Sequence, residues 1–110
     1  MTRGGVTALA AGIVMMAAGS LPAATPAPRT YTVVIDKMKF GPVPAGLRVG
    51  DTILWVNRDL FRHTATAKDQ SFDIDLPPDK SGKLVLKHPG TIAFSCKFHP
   101  GMRGTLVVAR

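Results

Sequence analysis

A chain of 110 residues has room for one domain with a single core. Its charge is one-sided: fourteen Lys and Arg against seven Asp and no Glu, a formal net charge of +7. The basic residues are dispersed rather than run together, which argues against nucleic acid as a partner and for acidic protein surfaces, while a 6% aromatic content with scattered Pro and Gly argues against a helical bundle.

Residues 1–24 have the layout of a secretory signal peptide. Met1-Thr2-Arg3 gives a short positive start, Val6 to Ala18 is an uncharged run of small apolar residues, and Ala17-Ala18-Gly19-Ser20 and Leu21-Pro22-Ala23-Ala24 offer small-residue cleavage sites. A spanning helix needs about 20 apolar residues. This run is shorter and glycine-interrupted, so cleavage rather than anchoring is expected, leaving no membrane span. Residues 25–30, Thr25 to Thr30, read as a short extended linker, and 31–110 as the folded domain.

The domain reads as strands. Tyr31 to Ile35 is rich in β-branched residues, Met38-Lys39-Phe40 ends at Gly41-Pro42, and Leu47 to Val49 precedes a Gly50-Asp51 turn. Thr52 to Asn57 is the strongest central strand. His63 to Ala67 alternates, Leu84 to Leu86 follows a Ser-Gly turn, and Thr91 to Cys96 and Thr105 to Ala109 close the chain. Asp69 to Lys80, with Pro77-Pro78, is the least regular stretch, although Asp73 and Asp75 alternate with Phe72, Ile74 and Leu76 as the wet face of a strand would. Seven to eight short strands with turns between them predict an all-β Greek-key sandwich. Met38 and Trp55 are expected in its core.

The chemistry concentrates in Cys96-Lys97-Phe98-His99-Pro100-Gly101-Met102. A lone cysteine in an exported chain has no disulfide partner and needs something to hold it. Thiolate, imidazole and thioether at this spacing form a soft donor set that suits copper in a His2Cys site with a weak axial Met, the arrangement of type 1 blue-copper electron-transfer centres. The fourth ligand must be His63 or His88. His63 begins a strand after the Asn57-Arg58-Asp59 turn, whereas His88 sits in an exposed Pro-Gly turn, so the predicted ligands are His63, Cys96, His99 and Met102 around one copper ion. Parity supports this: Ile92, Phe94 and Cys96 share a strand face, which puts the sulfur at the dry end of a core strand. Cys and two His would also accept zinc.

These residues carry a resemblance. Met38-Lys39-Phe40, Val49 to Thr52, Trp55 to Asp59, His63, Gly90-Thr91, Cys96, His99-Pro100 and Met102-Arg103-Gly104 are similar to the cupredoxins, and the short Cys-x2-His-x2-Met loop and the six-residue step from Asn57 to His63 look amicyanin-like. The resemblance spans about Ile35 to Val108. It implies a periplasmic, monomeric electron carrier and not an enzyme. It also implies an electron exit at the edge of His99, ringed by Phe61, Pro100 and Gly101, toward a cytochrome c or a dehydrogenase or oxidase. Arg58, Arg62, Lys97 and Arg103 would steer an acidic partner, and amides near Thr64 would bond the thiolate. Thr64 departs from the asparagine that many relatives carry after the first ligand histidine. A copper-handling chaperone or resistance protein is the alternative, but it would favour exposed Met- and His-rich tracts. A cuproenzyme would need more than the three histidines present.

Overall fold

The computed structural model describes Gly12, Gly19 and residues 26–110. The expected leader therefore lies outside the described residues apart from two isolated glycines. No helix among the described residues is long and apolar enough to cross a membrane.

Nine strands are present among the described residues: β1 Thr30–Asp36, β2 Lys39–Phe40, β3 Leu47–Arg48, β4 Thr52–Asn57, β5 His63–Ala67, β6 Asp73–Leu76, β7 Ser81–Val85, β8 Gly90–Ser95 and β9 Arg103–Ala109. They form two sheets, in the orders β2-β1-β4-β7 and β3-β9-β8-β5-β6. β1 pairs parallel with β4 and β3 parallel with β9, while the remaining pairs are antiparallel. The expected sandwich is thus observed, with one strand more than the seven to eight anticipated.

The extra strand is β6, inside the stretch read as irregular. Its alternation is real: Asp73 and Asp75 are exposed while Leu76 is buried. Pro77-Pro78 ends it rather than preventing it, because a proline cannot continue the ladder. The neighbouring Ser81-Gly82, read as a turn, instead opens β7, where Gly82 pairs with Trp55 and Ser81 with Val56. A Cβ at Gly82 would lie 2.6 Å from Ile74 Cγ2. Glycine here lets Ile74 of β6 lie close against β7 where the two sheets meet.

Alternation places Val33 and Ile35 of β1, Ile53 and Trp55 of β4, Ala65 and Ala67 of β5, Phe94 of β8, and Leu106 and Val108 of β9 in one buried core. Trp55 anchors it, edge-on to Phe40 and Phe94 at ring-centroid distances of 5.9 and 5.1 Å, with Phe40 and Phe94 at 4.9 Å. Such pairs add about 0.5–1.5 kcal/mol each beyond the area they bury. Met38, in contrast, is not a core residue. It is partly exposed, with φ of 61° beside Lys37 at 52°, in the two-residue turn joining β1 to β2. With positive φ at both central positions this is a type I′ turn, the kind whose twist follows that of the strands, and its backbone demand overrides the apolar character of the side chain.

At the opposite pole Asp51 is buried and its carboxylate accepts the amides of Arg29 and Arg48, at 2.9 Å each. These bonds, the Arg29 amide foremost, hold its pKa below 3.8 despite the opposing effect of burial. They tie the start of β1 to the turn before β4.

Gly104 of β9 lies directly beneath the ring of Phe94, where a Cβ would approach Phe94 Cζ to 2.5 Å. Phe94 is buried and has no room to withdraw. Gly104→Ala should therefore destabilise the domain by about 1–3 kcal/mol, read as a lower denaturation midpoint with an unchanged slope.

Candidate metal centre

β4 and β5 lie in different sheets, so residues 58–62 must cross from one to the other. This crossing delivers His63 into the core, fully buried at the first position of β5. β8 delivers Cys96 at its own end, on the buried face shared with Phe94 as parity predicts. The loop after Cys96 closes on itself: the Cys96 amide donates to the Met102 carbonyl at 3.0 Å, and the Met102 amide donates to the His99 carbonyl at 2.8 Å. Two short backbone bonds thus turn a seven-residue segment so that His99 and Met102 fold back beside the sulfur. Pro100 sits between them and offers no competing donor.

The result is one cluster. Nδ1 of His63 lies 3.8 Å and Nδ1 of His99 lies 3.6 Å from Cys96 Sγ. The imidazole rings are 5.0 Å apart at 63°, and the donor atoms of all three residues fall within 4.8 Å of one another. Met102 is buried close to them, and its thioether is available to the same site. His88 is far from this pole, exposed in the turn between β7 and β8.

The separations test whether a metal ion fits. Metal–sulfur and metal–nitrogen bonds of about 2.3 and 2.0–2.1 Å, opened by roughly 110–120°, span about 3.6–3.8 Å. Both S···N distances agree with that span. The softness of the donors favours copper over the harder divalent ions.

One residue at the site was not singled out from the sequence. Asp59 is buried and accepts a hydrogen bond from His63 Nε2 at 2.8 Å. It also accepts the amides of Lys37 and Met38 at 2.7 and 2.9 Å. Burial works against its charge, but the Met38 amide, His63 and the Lys37 amide together hold its pKa below the usual value. An ionised carboxylate can only accept, so the proton sits on His63 Nε2 and the Nδ1 lone pair faces the sulfur. Asn57 braces the same crossing: its side-chain oxygen accepts the Asp59 amide, and its Nδ2 donates to the carbonyls of Phe61 and Leu76. The available signal was an acidic residue four before a candidate ligand in a turn, which has no meaning until the turn's path is known.

Among the described residues the Cys96 sulfur accepts one backbone amide, Thr64 N, at 3.4 Å, as expected of the amides there. Thr64 Oγ1 accepts the amide of Lys97 at 2.9 Å. The threonine that departs from the expected asparagine therefore still ties the two ligand segments together, through a shorter side chain.

The family profile described as a cupredoxin-like domain matches residues 7–108. The chain belongs to the cupredoxin family. It is 33% identical over 100 residues to amicyanin-alpha of Methylorubrum extorquens, covering 84% of each chain. It is 30% identical over 96 residues to amicyanin of Paracoccus denitrificans, covering 78% of this chain and 70% of that one. A solved structure of reduced amicyanin with a proline-to-phenylalanine change superposes with a TM-score of 0.62 at 30% identity, over 72% of this chain and 81% of that one.

This cupredoxin differs from the expected surface in its charges. Phe61 does approach the His99 ring, at 6.5 Å between centroids, and Leu60 and Phe98, their neighbours in the chain, are exposed apolar residues not anticipated from the sequence. Arg62, however, is paired with Asp75 at 2.8 Å and Lys97 with Asp73 at 2.9 Å. The wet face of β6 thus compensates two of the four basic residues expected to steer a partner. Arg58 and Arg103 make no salt bridge among the described residues.

Asp59→Ala removes the acceptor that orients His63 and the anchor of both amides in the β1–β2 turn. Copper affinity, measured by competition with a chelator, should fall roughly 10- to 100-fold with binding retained.

Proposed function

We propose that this cupredoxin carries single electrons in the periplasm through one type 1 copper ion held by His63, Cys96 and His99, with Met102 as the weak axial ligand. The observation that supports this most strongly is the buried approach of two imidazole nitrogens to the chain's only thiol, at 3.6 and 3.8 Å. Copper, when bound, supplies a one-electron couple between its two charge states. The chain supplies the rest. Cys96 gives a strong anionic donor, and the Thr64 amide stabilises the sulfur's charge. Asp59 fixes the ring of His63, while the Met102 carbonyl and amide pin the loop that carries His99. A buried cluster braced from two sheets limits rearrangement between oxidation states, which favours fast transfer over catalysis or release of the ion.

His99 alone among the three donors is partly exposed. Its edge, bordered by Leu60, Phe61 and Phe98, is the electron exit we assign. The partner is a redox protein, a cytochrome c or a dehydrogenase or oxidase, docking on that patch. Arg58 and Arg103 contribute the positive rim, since Arg62 and Lys97 are already paired. Export follows from the leader-like residues 1–24, with cleavage leaving a monomeric domain.

Ligand substitutions with visible spectroscopy test the assignment. Cys96→Ser should abolish the intense thiolate-to-copper absorption and His88→Ala should leave it intact. Met102→Leu should keep copper bound and raise the reduction potential. If His88→Ala bleaches the protein and His63→Ala does not, the ligand set is wrong.

A further inference from the structure

The hydrogen bond between Thr64 and Lys97 is one link of a closed ring. Lys97 N donates to Thr64 Oγ1 at 2.9 Å. Thr64 Oγ1 and Thr66 Oγ1 are 2.9 Å apart. Thr66 Oγ1 donates to Asp73 Oδ1 at 2.8 Å, and Lys97 Nζ returns to Asp73 Oδ2 at 2.9 Å. The ring joins β5, β6 and the residue that follows Cys96.

Its direction is determined by chemistry. A hydroxyl has one proton, and an ionised carboxylate only accepts. Thr66 must therefore spend its proton on Asp73. Thr64 must then spend its own proton on Thr66, which turns its lone pairs toward the Lys97 amide. From the Lys97 amide through both hydroxyls to Asp73 each donor feeds the next acceptor, so these three links polarise in one sense, and Lys97 Nζ closes the ring by donating to Asp73 from the other side. The Lys97–Asp73 ion pair is about half exposed at both side chains, at 51% and 54%. Such a pair contributes little by itself. The hydroxyl links carry the orientation, and they are better shielded: Thr64 is buried and Thr66 half-buried.

We propose that Thr66 and Asp73 are positioning residues for the metal centre, orienting the Thr64 hydroxyl so that it holds the peptide after Cys96 and keeps the Thr64 amide on the sulfur. This rests on the copper reading above, and it gives β6 a role in the site although none of its residues touches a ligand donor atom. Neither Thr66 nor Asp73 is near enough in sequence to Cys96 for the link to be visible before folding. The shorter hydroxyl of Thr64 is what makes the ring necessary: with no amide of its own to brace it, it depends on Thr66 and Asp73 for a single orientation.

Two readouts on the full chain test this: hydrogen exchange of the Lys97 amide, in the metal-free and Cu(I) forms, and the thiolate-to-copper band of the Cu(II) form. Thr66→Val and Asp73→Ala should each speed Lys97 exchange several-fold and shift the band, since alanine, unlike asparagine, leaves no oxygen for the Thr66 hydroxyl to donate to. Thr66→Ser should restore both. Asp75→Ala removes an equal charge from the same strand face outside the ring and should leave both at parental values. Parental exchange in Thr66→Val and Asp73→Ala overturns the proposal. So does a Thr66→Ser chain as perturbed as Thr66→Val, which would mean packing of the methyl group. So does an Asp75→Ala chain matching Asp73→Ala, which would mean charge acting at a distance. Should Thr66→Val not fold, the two aspartate variants decide. A chain that takes up no copper refutes the functional reading, and exchange in the metal-free form still judges the ring.

Discussion

A sulfur atom kept from water, with two imidazole nitrogens facing it, is the constraint on which the metal pole depends. Cys96 is 1% exposed and His63 is fully buried. A thiolate in such a place is costly unless something compensates its charge. One amide, Thr64 N, bonds the sulfur at 3.4 Å, and this is too little for a full negative charge. A cation shared with His63 and His99 meets the remaining need.

The rest of the pole serves to keep that arrangement in place. Asp59 links a ligand to a hairpin turn: the same carboxylate holds His63 Nε2 and the amides of Lys37 and Met38, two residues at positive φ. Left-handed backbone costs roughly 1–2 kcal/mol per non-glycine residue, and two charge-assisted bonds of about 1.5–3 kcal/mol each offset it. The strained turn and the oriented ligand therefore depend on one side chain. On the other side, the Cys96–Met102 backbone bond and the threonine ring hold the second ligand segment. The pocket is braced from both sheets, which is what a site serving two oxidation states without rearranging requires.

The cluster of His63, Cys96 and His99 was legible largely because most of its chemistry is local. Cysteine, histidine and methionine three apart report a soft site whatever the fold, and strand parity through Ile92 and Phe94 already put the sulfur inside. His63 was favoured over His88 for the same kind of reason: one starts a strand and the other sits in a Pro-Gly turn. What escaped was non-local. Asp59 matters through the path of a crossing between sheets, and Thr66 and Asp73 through pairing between β5 and β6. Met38 was misplaced because its apolar side chain suggested burial while the two-residue turn dictated its backbone. The ninth strand was hidden by Pro77-Pro78 and Ser81-Gly82, which read as breaks although the prolines only end β6 and the glycine makes room for Ile74. Of the four basic residues expected to steer a partner, Arg62 and Lys97 are paired within the chain, because a residue's charge is visible in sequence and its ion-pair partner is not.

Everything at this pole turns on whether one ion touches the sulfur and both rings at once. X-ray absorption at the copper edge of the loaded protein reads this directly. The structure predicts one short sulfur neighbour and two imidazole nitrogens, with a further sulfur at longer range or unresolved. A first shell of nitrogen and oxygen alone, with no short sulfur, would contradict it.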